Sequence, residues 1–264
     1  MPTTKANYFS STGLKIIQLT NMQPERAFIG TSGWHYPHWE NIFYPADLKK
    51  KDQLEYYTSQ FKTVELNNSF YRQPKKANFE AWRDSVPDDF IFAVKANRYF
   101  THLKKLKVTA ADVNNFLDAC AVLGEKLGPI LFQLPPKWKV NLERLDSFLK
   151  TLPQGFQYTL EFRESSWYTP AVYDLLEQHN CALCIYHLAG HQSPILTTAN
   201  FVYVRLHGPG DKYQGKYDQK QLTEWAQLAK KWLAEKKQVY FYFDNDQDAY
   251  AAMNALDLQE MIND

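Results

Sequence analysis

Eight short segments rich in β-branched and aromatic residues recur along the chain, and most of them precede a segment with helical periodicity. The predicted strands are Ala27–Gly33, Thr63–Ser69, Phe90–Ala96, Pro129–Leu134, Gln157–Arg163, Ala182–His187, Phe201–His207 and Gln238–Asp244. Alternating strands and helices predict a parallel sheet, and eight strands close a (β/α)₈ barrel. We therefore expect the α/β class and a single TIM-like barrel. A doubly wound open sheet is the alternative, but no Gly-x-Gly-x-x-Gly pattern follows the first strand.

One repeat of this pattern is irregular. Gly190 and Pro194 interrupt any helical pattern between the sixth and seventh predicted strands, so we expect no regular helix there. A length of 264 residues suits one large barrel. We assign residues 27–264 to the barrel and residues 1–26, which are weakly patterned, to an N-terminal extension.

Composition limits the classes of partner. Thirty basic and 29 acidic residues leave a net charge of +1, so no global field attracts nucleic acid or an anionic membrane. No apolar segment approaches membrane-spanning length, and the first residues lack the pattern of a signal peptide. The three cysteines do not form a disulfide framework. These features predict a cytoplasmic protein without a membrane partner; they leave its oligomeric state open.

The segment 201–207 predicts which side chains face the barrel interior. Val202, Val204 and Leu206 share one face of this strand, whereas Tyr203, Arg205 and His207 share the other. The apolar face suits packing under the helices, so the second face points inward. An arginine inside a barrel is costly unless it is paired or used.

Other strands place polar residues at the same inward parity and towards the same end. These residues are Glu65, Asn67, Lys95, Gln133, Glu161, Arg163 and Tyr242. Active sites of such barrels lie at the carboxyl ends of the strands. Several polar side chains converging there predict a cavity for a polar ligand. The alternative is a structural network in which these charges only neutralise each other.

Residue types suggest the roles in such a site. Glu65 and Glu161 are candidates for a general acid and base, Lys95 and Arg205 for anion binding, and His207 for proton transfer. These five form the predicted catalytic set. The predicted ligand-binding set is Trp34, Tyr36, Asn67, Tyr71, His102, Gln133, Arg163, Tyr213, Tyr242 and Asn245.

No cofactor is predicted, and a divalent metal is disfavoured. Three cations, Lys95, Arg163 and Arg205, share the predicted mouth and would repel such an ion, and the chain has no His-x-x-x-His spacing. Cys181 and Cys184 lie on a predicted strand at positions that face opposite sides, so they form neither a redox pair nor a zinc site.

Several motifs carry a family resemblance. They are Ile29-Gly-Thr-Ser-Gly-Trp34 with Phe43-Tyr-Pro45, Val64-Glu-Leu-Asn67 with Phe70-Tyr71, Phe92-Ala-Val-Lys95 with Thr101-His102, Gln133-Leu-Pro-Pro136, Glu161-Phe-Arg163 with Ser166-Trp167, Arg205-Leu-His-Gly208, and Tyr242-Phe-Asp-Asn245. In this order they resemble the domain-of-unknown-function family 72, also called YecE-like, from about residue 28 to 256. The resemblance implies a TIM-like barrel and no settled activity. Barrels of related architecture include apurinic endonucleases and sugar isomerases, which use metal clusters; this is an analogy of fold alone.

The hypothesis that follows is an enzyme that uses acid/base chemistry on a polar or anionic ligand, phosphorylated or sugar-like, at the barrel mouth. A hydrolase or an isomerase is the favoured class. One alternative is a nucleic-acid-binding or metal-dependent phosphodiester-processing protein, with nucleic acid disfavoured by the near-zero net charge. The other is a metabolite-binding protein without catalysis.

Overall fold

The computed structural model describes residues 26–72 and 74–263, in which the eight predicted strands form one sheet. The strands are β1 (Ala27–Thr31), β2 (Thr63–Leu66), β3 (Ile91–Lys95), β4 (Leu127–Gln133), β5 (Tyr158–Glu161), β6 (Cys181–Leu188), β7 (His191–Gln192), β8 (Phe201–Leu206) and β9 (Gln238–Phe243). The helices are α1 (Gln53–Gln60), α2 (Lys76–Asp84), α3 (Ala110–Cys120), α4 (Leu142–Leu149), α5 (Pro170–Gln178), α6 (Gln219–Ala234) and α7 (Tyr250–Asn263).

The sheet has the order β1-β9-β8-β6-β5-β4-β3-β2, and these strands run parallel. Strand β7 is the exception, since it pairs with β6 in antiparallel fashion. It occupies the irregular segment between β6 and β8, where no helix forms in the described structure. The predicted α/β barrel, including its irregular unit, is therefore confirmed.

Two apolar layers lie on the two faces of the sheet. The outer layer packs the helices against the sheet and contains Val202, Val204 and Leu206. The inner layer fills the barrel, and its largest members are Phe28, Tyr186, Phe201, Tyr203, Tyr240 and Tyr242. The predicted parity of this strand is thus confirmed. Cys181 and Cys184 also face opposite sides, one in each layer. Tyrosines in place of the usual aliphatic residues bring hydroxyl groups into the interior.

A side chain from α1 closes the barrel between β1 and β2. Within the described residues, no ladder of backbone hydrogen bonds joins these two strands. Instead, the Thr31 amide donates to the Tyr57 hydroxyl, which donates to the Thr63 carbonyl, each at 3.0 Å. One phenol therefore satisfies a backbone donor on β1 and an acceptor on β2. An orphaned buried peptide group would be costly.

Glycine at position 30 permits the close approach of β1 and β2. A Cβ atom on Gly30 would lie 2.2 Å from the Thr63 carbonyl oxygen. Such a contact would force the two strands apart, so the seam requires glycine at this position.

Strand boundaries differ from the predicted ones mainly at the mouth. Strand β2 ends at Leu66 rather than Ser69, because residues Asn68–Phe70 form a 3₁₀ turn. The predicted N-terminal extension lies outside the described residues, apart from Arg26. No described helix combines the length and apolar character needed to cross a membrane.

Candidate functional site

Arg205 lies at the centre of a buried charge network inside the barrel. Its Nη1 donates to Glu161 Oε2 and its Nη2 to Glu65 Oε1, both at 2.8 Å. All three side chains are fully buried. The Ser32 hydroxyl donates to Glu65 Oε1 at 2.6 Å, and the Tyr203 hydroxyl donates to Glu65 Oε2 at 2.6 Å. One guanidinium group on β8 thus joins β5 and β2, which are not its neighbours in the sheet, and two hydroxyl groups complete the hydrogen bonding of Glu65.

Arg163, His207 and Asp244 extend this network towards the mouth. Arg163 Nε donates to Glu161 Oε1, and Arg163 Nη2 lies 2.9 Å from His207 Nε2. His207 Nδ1 lies 2.9 Å from Asp244 Oδ2. Because a guanidinium group only donates, His207 Nε2 must accept, and the proton of the neutral imidazole resides on Nδ1. His207 is therefore a neutral link between a guanidinium group and a carboxylate.

The pKa values follow from this pairing. Burial raises the pKa of Glu161, but the guanidinium groups of Arg163 and Arg205 outweigh burial and hold it well below its ordinary value. Burial and the nearby Arg205 lower the pKa of His207 to about 4, despite the opposing effect of Asp244. At neutral pH the ionised carboxylates of Glu161 and Asp244 therefore lie beside guanidinium groups and the neutral imidazole of His207.

Lys95 differs from the other charged groups in the mouth. It ends β3 on the inward parity and lies partly buried. Its Nζ lies 4.5 Å from the centroid of the Phe70 ring, and no carboxylate of the described residues lies within salt-bridge distance. Burial and the charge of Arg205 lower the pKa of Lys95 to about 8, although Glu161, Glu65 and Asp244 oppose this shift. The Lys95 amine at the barrel mouth therefore gains and loses its proton closer to neutral pH than an ordinary lysine does.

The ends of β2, β3 and β4 hold Lys95 in place and add amide groups. Ser69 Oγ donates to the Lys95 carbonyl at 2.6 Å, and Asn97 Nδ2 donates to the Ser69 carbonyl at 3.0 Å. Asn67 Oδ1 is buried and accepts no hydrogen bond from the described residues. Gln133 pairs in register with Glu161 and lies partly buried at the end of β4. A polar ligand could donate a hydrogen bond to Asn67 Oδ1, which has no other donor in the described structure, and could also contact the Lys95 amine.

Four residues of the predicted ligand-binding set lie around the mouth. Tyr36 donates its hydroxyl proton to the Ser32 carbonyl. The Tyr213 ring lies 5.5 Å from that of His207, edge to face, and covers it. The His102 ring lies 5.0 Å from Phe70, and burial followed by the charge of Lys95 lowers its pKa. Tyr71 is 75% exposed and packs one edge on Phe70. Their predicted roles in ligand binding stay predictions.

Three other predicted residues are engaged in contacts outside the network. Trp34 packs edge to face on Trp82, at 6.1 Å between centroids. The Tyr242 hydroxyl lies 2.7 Å from Thr63 Oγ1, deep in the barrel. Asn245 Nδ2 donates to the Gly215 carbonyl and to Asn254 Oδ1, which ties the loop after β8 to α7. Their predicted binding roles stay predictions.

The predicted catalytic and ligand-binding sets omit four residues that shape the site: Ser32, Phe70, Tyr203 and Asp244. Ser32 continues the inward parity of β1, and Tyr203 shares that of β8, so alternation alone contains the signal for both. Asp244 follows β9 at the strand end. Phe70 gives no such signal, because its position beneath Lys95 depends on the 3₁₀ turn after β2.

The described residues do not suit a divalent metal ion. No group of three or more His, Cys, Asp or Glu side chains in residues 26–72 and 74–263 has an arrangement that could hold one. The carboxylates that face the mouth already bind guanidinium groups.

The fold and the site define an α/β barrel protein with a buried charge network below the barrel mouth. In the described residues, the Lys95 amine at this mouth has no carboxylate within salt-bridge distance. The family model described as "Protein of unknown function DUF72" matches residues 28–264. The chain belongs to this family, as the sequence motifs predicted. A curated relative, UPF0759 protein YunF of Bacillus subtilis (strain 168), is 25% identical, with 89% of this chain and 94% of YunF covered.

Solved structures show the same fold. A DUF72 family protein from Thermotoga maritima MSB8 is similar, with a TM-score of 0.81 and 27% identity over 90% of this chain and 99% of that one. A second, from Enterococcus faecalis V583, has a TM-score of 0.76 and 19% identity over 90% of this chain and 96% of that one. Neither name states an activity, so function must be argued from the site.

Proposed function

We propose that this protein is an enzyme that acts by acid/base chemistry on a small polar, anionic molecule bound at the barrel mouth. The observation that carries the proposal is the contrast between Lys95 and its surroundings. The charges of Glu65, Glu161, Arg163 and Arg205 are bound to each other, whereas the Lys95 amine has no carboxylate partner in the described structure. An unpaired buried cation is costly, and an anionic ligand would supply the missing partner.

Lys95 is also the group best suited to proton transfer. With a pKa lowered to about 8, it is mostly protonated at neutral pH and retains a useful fraction of free amine. An acid/base group works best when its pKa lies near the working pH. The ammonium form donates a proton to a developing oxyanion, and the amine form removes a proton from a bound substrate. Glu161 is a weaker base, because two guanidinium groups stabilise its ionised form.

The remaining groups suit a ligand that carries hydroxyl groups. Asn67 Oδ1 is an unused buried acceptor, and Gln133 adds an amide at the neighbouring strand end. Hydroxyls of a sugar donate to such oxygens, while a phosphate or carboxylate group binds the ammonium. A phosphorylated sugar combines both features, which makes a hydrolase or an isomerase of such compounds the favoured class.

The test combines binding with turnover. A panel of phosphorylated sugars, with inorganic phosphate as its smallest member, is screened by thermal shift against the wild type, Lys95→Met and Lys150→Met. Lys150 is an exposed lysine of the α4 end and provides a matched control. We expect a stabilising ligand that loses its effect only in Lys95→Met. That ligand is then followed by ¹H and ³¹P NMR for chemical change across pH 6–9.

Two outcomes would count against the proposal. Equal stabilisation of Lys95→Met and wild type would remove Lys95 from the binding site. A ligand that binds through Lys95 but stays unchanged during prolonged incubation would favour a metabolite-binding protein without catalysis. A rate that depends on pH with an inflection near the pKa of Lys95, and is abolished in Lys95→Met, is the result that we expect.

A further inference from the structure

The loops after β2, β3 and β4 form one strongly basic part of the barrel mouth, which we call the basic rim. It comprises residues 67–72, 74–75, 96–109 and 134–141. These loops contain eight lysine and arginine residues and no aspartate or glutamate. The eight are Arg72, Lys75, Arg98, Lys104, Lys105, Lys107, Lys137 and Lys139. All eight are exposed.

These cations lack salt bridges in the described structure, although Lys104 contributes to the lowered pKa of the Asp112 carboxyl group in the first turn of α3. None of the eight forms a salt bridge within the part of the chain that the structure describes. The loop after β9, in contrast, carries Asp244, Asp246 and Asp248 and no lysine or arginine. The net charge of +1 therefore conceals a mouth with one basic and one acidic side. A concentrated basic surface attracts a polyanion even when the whole molecule is almost neutral.

Hydrogen bonds and ring contacts join the three loops into one surface. Asn97 Nδ2 from the β3 loop donates to the Ser69 carbonyl in the β2 loop at 3.0 Å. The ring of His102 packs on Phe70 across the same two loops. Arg144, in the first turn of α4, donates to the Lys105 carbonyl at 3.1 Å and so connects the β4 side to the β3 loop. These contacts therefore hold the loop segments that carry the cations next to each other.

The basic rim also exposes an aromatic ring. Tyr71 is 75% exposed and is supported from below by Phe70, at 5.1 Å between centroids. Arg72 follows it directly and Lys75 lies in the same loop. Single-stranded nucleic acid binding uses exposed aromatic rings together with cations, because bases stack on the rings and phosphates contact the cations.

We propose that the basic rim binds single-stranded nucleic acid, with phosphates on its lysines and arginines and an unpaired base stacked on Tyr71. A duplex keeps its bases stacked on each other and leaves none for Tyr71. An anionic membrane would need more apolar surface than the rim offers, since Tyr71 and Leu103 are its large exposed hydrophobic residues. The eight cations and Tyr71, on which this proposal rests, take no part in the chemistry proposed for Lys95, so each proposal can fail without the other.

The main test measures the binding of a 5′-fluorescein-labelled oligo-dT of about 20 nucleotides by fluorescence anisotropy, from low to moderate salt. The rim variant carries Lys104→Glu, Lys107→Glu and Lys139→Glu. The control carries Lys220→Glu, Lys230→Glu and Lys231→Glu, which reverse three exposed lysines of α6 and change the net charge equally. Circular dichroism and thermal unfolding confirm that both variants fold.

We expect the rim variant to bind at least about tenfold more weakly than the α6 control at low salt. Losing three phosphate contacts should also reduce the slope of log K against log salt by about 2. Equal weakening of the two triple variants would overturn the proposal, because the attraction would then follow net charge alone. Binding of phosphatidylserine vesicles without binding of the oligonucleotide would overturn it in favour of a membrane partner.

A second pair of variants tests the stacking. Tyr71→Ala should weaken oligonucleotide binding about fivefold or more, whereas Tyr71→Phe retains the ring and should bind within about twofold of the wild type. A wild type that prefers a duplex of the same length over the single strand would contradict the predicted role of Tyr71. Equal binding by the alanine and phenylalanine variants would contradict it as well.

Discussion

The two sides of the barrel mouth differ in whether their charged side chains have partners of opposite charge. On the side of β5, β8 and β9, the arginines and carboxylates bind each other, and His207 links Arg163 to Asp244. On the side of β2, β3 and β4, Lys95 and the basic rim have no carboxylate partners in the described structure. The first arrangement fixes side-chain geometry, and the second leaves cations available to a ligand. The difference predicts that mutations on the paired side will lower stability, whereas mutations on the unpaired side will weaken binding without lowering stability.

The largest expected effect comes from removing the central cation. Arg205→Met leaves Glu65 and Glu161 buried with fewer partners, and breaking a buried ion pair from one side costs about 3–5 kcal/mol. Urea unfolding measures this loss. Arg98→Met, which removes an exposed arginine of the basic rim, should change the free energy of unfolding by less than about 0.5 kcal/mol. If Arg205→Met and Arg98→Met lowered the free energy of unfolding by similar amounts, the paired and unpaired sides would not differ in their contribution to stability.

The sequence predicted the barrel and the inward parity for physical reasons. Strand alternation has a period of two, so Val202 and Tyr203 must face different layers, as observed. Which cation finds a carboxylate depends instead on side-chain packing across strands far apart in the chain. Arg205 and Lys95 have the same charge and the same inward parity, yet only Arg205 is paired. The sequence therefore predicts the charge and the inward direction of these side chains, but it does not predict which of them form salt bridges.

The same limit applies to the seam between β1 and β2. The spacing of Leu54, Tyr57, Thr58 and Phe61 is typical of one apolar helix face, and Tyr57 lies on the buried face of α1. Nothing in that spacing shows that its hydroxyl replaces a missing backbone ladder. That role exists only because β1 and β2 meet there without pairing, which is a property of the closed barrel.

Acid should weaken the paired side at a pH set by His207. Its pKa is about 4 in the folded protein against about 6.5 in the unfolded chain, so between these values only the unfolded chain gains the proton. The stability contributed by the neutral imidazole is therefore complete above pH 6.5 and is lost as the pH falls towards 4, by about 3 kcal/mol. Unfolding experiments from pH 7.5 to pH 4 should show this loss.

Two variants separate His207 from the other titrating groups. His207→Gln cannot gain a proton and should show a flatter dependence of stability on pH across this window, although it starts from a lower stability at pH 7. His35→Gln, which replaces an exposed imidazole, should keep the slope of the wild type. A wild-type slope in His207→Gln would show that other groups cause the acid sensitivity.

On the unpaired side, removing a charge should increase stability. Burial lowers the pKa of Lys95 to about 8, so at pH 7 the folded state carries a desolvated ammonium group. Lys95→Met should raise the free energy of unfolding by about 2 kcal/mol at pH 7, and this gain should decline as the pH rises from 8 to about 10.5. Lys95→Arg keeps the charge and should give no gain. A destabilised Lys95→Met variant would mean that Lys95 belongs to the paired network.

The smallest effects come from a matched pair of hydroxyl deletions. Tyr203→Phe removes the proton that Glu65 Oε2 accepts at 2.6 Å inside the barrel, and should cost about 1.5 kcal/mol because Arg205 and Ser32 still bind the other oxygen. Tyr71→Phe removes the same atom from an exposed ring and should change stability by less than about 0.5 kcal/mol. Thermal unfolding of both variants measures the difference. If the two losses were equal, the Tyr203 hydroxyl would contribute no more than an exposed one, and the tight pairing around Glu65 would not be a source of stability.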